Sequence, residues 1–117
     1  MAPPGVGSPW HLHHAEDESF YIIEGTLTFL IGEERITAGP GAYVFGPRGI
    51  PHGFRVDGDS PARYVIMTTP AGFEEFVVAL SEPATGPGFP PDAPPDMAKV
   101  MAAAAARQLE ILGPLPE

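Results

Sequence analysis

His11-Leu12-His13-His14-Ala15-Glu16-Asp17-Glu18 decides how the rest of this chain is read. In an extended strand successive side chains point to opposite faces, which puts His11 and His13 on one face and Leu12 and His14 on the other. Two imidazoles on one face stand about 6.5 Å apart along the strand, close enough to grip one ion from two sides where the strand curves. Glu18 opens the apolar run Ser19-Phe20-Tyr21-Ile22-Ile23, which ends at Gly25, and a further histidine stands far downstream in Pro51-His52-Gly53-Phe54. Three imidazole nitrogens and one carboxylate, from His11, His13, His52 and Glu18, suit a single divalent transition metal with coordination positions left open.

The bulk numbers narrow the classes. A chain of 117 residues builds one core and is too short for two. Fifteen acidic against six basic residues give a net charge of −9, and the basic residues are scattered. Binding to a phosphate backbone needs clustered Lys and Arg, so no nucleic-acid partner is expected. Cysteine is absent, which removes disulfides, thiolate ligands and a thiol nucleophile. The start Met1-Ala2-Pro3-Pro4-Gly5 has no basic region and no apolar core, and no apolar run approaches a membrane span, so a soluble cytoplasmic protein is expected.

Sixteen prolines and fourteen glycines gather between periodic segments, which reads as a turn-rich β fold. Strands are expected over Trp10 to His14, Glu18 to Glu24, Thr26 to Ile31, Arg35 to Thr37, Ala42 to Phe45, His52 to Val56 and Ala62 to Thr69. By the two-residue period Phe20 and Ile22 share the face of Glu18, and Phe54 and Val56 share that of His52. After Pro70 the period changes: Phe73, Phe76, Val77 and Leu80 recur at helical spacing and predict a short helix over Ala71 to Ser81. Six prolines in residues 82–95 forbid a regular element and predict a stiff linker. Asp96 reads as the N-cap of a second helix over Met97 to Leu112, stopped by Gly113-Pro114 and packing on the barrel or on a second subunit. The organisation is therefore a barrel with its first helix over residues 1–81, and a linker with the second helix over residues 82–117.

Gly5, His11, His13, Glu18 and Gly25 resemble the first cupin motif: a glycine, five residues, His-x-His, three or four residues, Glu, six residues, Gly. Gly41, Pro47, Gly49 and His52 resemble the second, with Val56 where that motif ends in asparagine. The resemblance covers residues 5–56 and implies an all-β fold, the cupin jelly-roll β-barrel or double-stranded β-helix, here with C-terminal helices. Cupins of this type carry one or two strands before the first motif, where this chain has only a few residues. The chain is shortened, or that edge is left open, or a partner covers it. An open apolar edge is an aggregation hazard, so a homodimer is expected.

By the same resemblance His11, His13, Glu18 and His52 hold the metal, which is Fe, Mn, Ni, Co, Cu or Zn. Glu16 and Asp17 compete for the carboxylate position, and Glu18 is preferred because it alone leaves six residues before Gly25. His14 alternates outward and reads as a surface or interface residue. Neutral imidazole is the ligand, so occupancy is expected to fall below the ordinary histidine pKa of about 6.5. The pocket over the metal is expected to be apolar, from Phe20, Ile22, Phe54, Tyr43, Phe45 and Met67 or Tyr64, although most of these equally suit plain barrel core. Such a lining fits a flat organic small-molecule substrate better than a sugar phosphate.

The segment up to Glu74 is similar to small cupins of the quercetin 2,3-dioxygenase type, which implies a dioxygenase-like enzyme acting on an aromatic or enolic compound. Glu18 would then both bind the metal and act as a catalytic base toward a bound hydroxyl. The alternatives are a non-oxidative isomerase, cyclase or decarboxylase with a Lewis-acid metal, and a metal- or ligand-binding module without turnover.

Overall fold

Buried and more exposed side chains alternate along the first histidine strand and again over residues 43–46, whereas the strand over residues 27–31 is buried along nearly its whole length. The computed structural model describes residues 2–81, 83–84, 86–87 and 96–116. Its strands are β1 (Trp10–His13), β2 (Asp17–Glu24), β3 (Leu27–Ile31), β4 (Glu34–Ala38), β5 (Tyr43–Gly46), β6 (His52–Val56), β7 (Arg63–Thr69) and β8 (Leu109–Gly113). Two helices, α1 (Glu74–Leu80) and α2 (Met97–Ala106), lie between β7 and β8. The strands form two antiparallel sheets, one in the order β4-β3-β6-β1-β8 and the other β5-β2-β7. Their inner faces enclose one core of Phe20, Ile22, Leu27, Phe29, Ala38, Val44, Phe54, Val56 and Ala62. This is the jelly-roll arrangement that the sequence motifs imply.

The aromatic members knit the two sheets together. Phe20 of β2 meets Phe29 of β3 at 4.8 Å and Phe54 of β6 at 5.3 Å between ring centroids, in tilted and edge-to-face arrangements. Val56, where the second motif would have asparagine, is buried in this core and its backbone N–H donates to Val6. The departure from the motif therefore falls on packing.

Gly25, which closes the first motif, shows what that position demands. Its φ is +88°, and a Cβ there would lie 2.8 Å from both Cα and Cβ of Ala62. The first condition favours glycine by about 1–2 kcal/mol, and the second leaves no room against backbone. Gly25→Ala is expected to destabilise the protein by at least about 2 kcal/mol, read as a lower urea midpoint. An unchanged midpoint would contradict the turn geometry.

Two segments depart from the sequence reading. The helix expected over Met97 to Leu112 ends at Ala106, Gln108 takes a left-handed conformation at φ 57°, and Leu109–Gly113 returns as β8 along β1. The N-cap is as expected, with the Asp96 carboxylate accepting from Lys99 N at 3.2 Å. One edge of β1 is thus covered by β8 of the same chain. The proline-rich linker expected over 82–95 falls largely outside the described residues.

The second departure concerns Tyr43, Phe45 and Met67. They do not line a pocket but stand on the outer face of the β5-β2-β7 sheet, 60%, 48% and 40% exposed. Register explains it: Val44 and Ile66 both pair with inward-facing Phe20, so the residues beside them on β5 and β7 point outward. Tyr21, Ile23 and Val65 are also exposed and share that face.

Candidate metal centre

β1 supplies two imidazoles because its pleat turns His11 and His13 inward, with His14 left half-exposed beside Glu110. β2 supplies Glu18 at its second residue, on the face of Phe20 and Ile22. β6 begins at His52, directly opposite His11 in the ladder. All four side chains are buried, and each offers one ligand atom such that the four atoms lie within 4.8 Å of one another. Ligands on opposite sides of an ion at about 2.1 Å would stand about 4.2 Å apart, so a slight contraction closes the set on a metal.

The hydrogen bonds on the outside of the cluster orient it. His11 Nδ1 is 2.8 Å from the carbonyl of Pro9, and His52 Nδ1 is 3.1 Å from that of Ile50. A carbonyl only accepts, so both rings carry their proton on Nδ1 and turn Nε2 inward. His52 Nε2 is 2.9 Å from Glu18 Oε1, and His13 Nε2 is 3.7 Å from the same oxygen. Both ring nitrogens of His13 are buried without a hydrogen-bond partner. A buried nitrogen lone pair with nothing to accept is costly unless something else fills the role. A cation between His13, His11, His52 and Glu18 fits that requirement.

Electrostatics separate the members. Burial lowers the pKa of His11 to about 4 against the opposing hydrogen bond to Pro9, and the neighbouring His52 lowers it further. Burial alone would raise Glu18, but the facing imidazoles of His13 and His52 outweigh it and hold the carboxyl at about 2. Glu18 is therefore anionic throughout the range in which His11 changes charge. Because the folded pKa of His11 lies below its ordinary 6.5, the unfolded chain takes up this proton first. The contribution is whole above pH 6.5 and lost as pH falls toward 4, by an order of 3 kcal/mol. Chelator-treated protein should show that fall in urea denaturation at a series of pH values, and His11→Asn should flatten it. An equally steep fall in the variant would assign it elsewhere.

The neighbouring carboxylates take other roles. Asp17 accepts from the backbone N–H of Arg48 at 2.8 Å and pairs with its guanidinium, which holds the Asp17 carboxyl below its ordinary value. Glu16 is buried behind His13, outside the ligand set.

Of the expected pocket residues, Phe20, Ile22 and Phe54 are packed core one step along the same inward faces. Tyr64, half-buried, meets Phe54 edge-to-face at 5.6 Å. Three residues at the site had no such reading from the sequence. Phe73, at the start of α1, meets the His13 ring edge-on at 4.8 Å. Thr68 and Ile66 pair with Glu18 and Phe20 in the β2–β7 ladder, and Ile66 is 44% exposed. The spacing of Phe73 and Phe76 marked the helix but not what lies beneath it. A surface hollow of about 740 Å³, lined by Glu24, Asp57 and Asp59 among others, contains none of the four ligands.

Comparison with known proteins gives a consistent pattern. A family model described as cupin domain matches residues 1–68. Quercetin 2,3-dioxygenase of Bacillus subtilis (strain 168) is 31% identical over 80 residues, which are 68% of this chain and 23% of that enzyme. The chain thus spans about a quarter of that relative's length. Among solved structures, the TT1209 protein of Thermus thermophilus aligns with a TM-score of 0.57 and 36% identity over 59% of this chain and 66% of that one. A putative sugar phosphate isomerase from Acidithiobacillus ferrooxidans ATCC 23270 aligns with a TM-score of 0.52 and 28% identity over 56% of this chain and 44% of that one. No helix among the described residues is long and apolar enough to cross a membrane.

Proposed function

The chain belongs to the cupin domain family, and from that premise we propose that it is a metal-dependent, dioxygenase-like enzyme acting on a small aromatic or enolic compound. The observation that carries the reading is the convergence of four buried donors, His11, His13, Glu18 and His52, at the end of an aromatic core. A divalent transition metal bound by them supplies open positions for an oxygen donor and, when redox-active, a route for electrons.

The residues of the chain do the rest. Phe73 covers the His13 side, and an aromatic neighbour of that kind suits a flat, weakly polar molecule. Beside the site a phosphate group finds little to bind, because Arg107 is paired with Glu16 and Glu75 and Arg48 with Asp17. Glu18 is the proton acceptor. Its pKa is low because imidazole nitrogens face it, and burial pulls the other way. In the loaded site Glu18 would bind the ion through one oxygen, which leaves its second oxygen as the acceptor. That oxygen would take the hydroxyl proton of an enol or phenol whose own acidity is raised by binding to the metal.

Metal analysis of protein purified without added ions, combined with O₂ uptake over a panel of enolic and phenolic compounds, tests the reading. Iron, manganese, nickel, cobalt or copper with substrate-dependent O₂ uptake is expected. Full occupancy by zinc with no O₂ consumption across the panel would remove the oxygenase and leave a Lewis-acid enzyme or a binding module.

The same proposal includes a second copy of the chain, seated on the apolar outer face that carries Tyr21, Tyr43, Phe45 and Met67. Sedimentation velocity should show a dimer, and Phe45→Lys together with Tyr43→Lys should shift it to monomer. A monomeric unaltered protein would exclude it.

A further inference from the structure

We propose that Glu16, anchored by Arg107, is a positioning residue for His13, so that metal affinity depends on a side chain beyond the first 68 residues. The inference rests on reading His11, His13, Glu18 and His52 as a metal centre. Glu16 sits in the short connection between β1 and β2, yet it is only 1% exposed. A buried carboxylate needs partners; Arg107 donates to one oxygen of Glu16, and the other faces His13 Nδ1 just beyond hydrogen-bond reach. Its Oε2 is 3.3 Å from Arg107 Nη2, and its Oε1 is 3.5 Å from His13 Nδ1.

His13 is the one ligand imidazole whose Nδ1 has no backbone carbonyl to hold it, in contrast to His11 on Pro9 and His52 on Ile50. Glu16 takes the place of that carbonyl. A carboxylate facing Nδ1 keeps the ring proton there, presents the Nε2 lone pair to the ligand set and makes it a stronger donor. Glu16 cannot do this alone, since a lone buried carboxylate would take up a proton or turn away. Arg107 follows α2 directly, donates to Glu75 of α1 at 3.4 Å as well as to Glu16, and packs against Gly72. A Cβ at Gly72 would lie 2.3 Å from Arg107 Nη2, so the absence of a side chain there makes room for the guanidinium. Three separate stretches of the chain, around Glu16, around Gly72 and Glu75, and at Arg107, thus hold the one carboxylate that faces His13 Nδ1, which core packing does not require.

Titration with Co(II), followed by its visible absorption, and ¹⁵N NMR of the His13 ring in chelator-treated protein at pH 8 test the proposal. Glu16→Gln and Arg107→Ala are each expected to weaken Co(II) binding by about 10- to 100-fold and to alter its spectrum. The double variant should lose little more than either single one, and Arg107→Lys should restore most of the affinity. The NMR should place the His13 proton on Nδ1 in the unaltered protein and move part of it to Nε2 in Glu16→Gln. Co(II) affinity within about threefold of the unaltered protein in both single variants would overturn the proposal. Should either single variant fail to fold, Gly72→Ser, which crowds Arg107 from outside the site, gives the same readout: unchanged affinity overturns the idea and a loss supports it. If the unaltered protein takes up no Co(II), the metal-centre reading fails. The ring proton then still decides positioning, for it on Nδ1 and against it on Nε2.

Discussion

His52→Ala is expected to empty the metal centre, reducing bound metal from one ion per chain to a trace and weakening Co(II) affinity by more than about 100-fold, beyond what loss of an outer partner costs. His52 is the ligand on which the others are aligned. It stands opposite His11 in the ladder, its ring lies 4.5 Å from that of His11 and 5.4 Å from that of His13, and its Nε2 touches Glu18 at 2.9 Å. Its removal also leaves Glu18 buried with only His13 at 3.7 Å. Stranding one partner of a buried pair costs about 3–5 kcal/mol, so the chelator-treated variant should unfold at markedly lower urea. Some of that loss is regained when Glu18 takes up a proton, which makes the variant less unstable at low pH. His14→Ala provides the contrast, since its contact with Glu110 is half-exposed and worth at most about 1 kcal/mol. Elemental analysis of both variants decides the matter. A His52→Ala protein that retains one ion per chain would reduce the account to a fold assignment.

The ligand strand was legible because its spacing is rigid. His11 and His13 share a face through the pleat alone, and Glu18, Phe20 and Ile22 follow the same rule on β2. His52 carried no local sign of its role and was placed by resemblance of the Gly41 to His52 segment to a known motif. What failed were phases and endings. Tyr43-Val44-Phe45 is apolar on both faces, so nothing in it says which side is inner; pairing of Val44 with Phe20 sets that phase. Met67 failed for the same reason on β7, where Val65, Ile66 and Met67 are all apolar. The end of α2 was hidden because Leu109-Glu110-Ile111-Leu112 continues an alanine-rich helix as readily as it starts a strand. The residue that turns the chain, Gln108 at φ 57°, is neither of the usual choices, glycine or asparagine. Propensity favoured helix, and an unpaired edge on β1 won. Glu16 was weighed as a ligand because composition cannot distinguish a carboxylate in front of an imidazole from one behind it.

Ending the chain after Arg107 is expected to abolish metal uptake and to make the protein aggregate. β1 pairs with β6 at one position, His11 with His52, whereas every residue of β1 pairs with β8: Trp10 with Gly113, His11 with Ile111, Leu12 with Glu110 and His13 with Leu109. The strand that carries two of the ligands is thus held in register chiefly by the last one. Without β8, β1 becomes a free edge with unpaired N–H and C=O groups, the template on which chains associate edge to edge. Leu109, buried at 9% exposure against this edge, would be lost with it, at a cost comparable to removal of a core leucine, about 2–5 kcal/mol. Arg107 remains in the shortened chain, so the result is independent of its pairing with Glu16. Ile111→Pro is the milder form: it removes one backbone N–H from the β8 ladder opposite His11, and the metal should bind more weakly without complete loss of fold. Size-exclusion chromatography and metal analysis read both effects. A shortened chain that stays monomeric and binds one ion with unchanged affinity would mean that β6 and the N-terminal segment, where Gly5 and Ser8 donate to Val56 and Phe54, fix His11 and His13 by themselves.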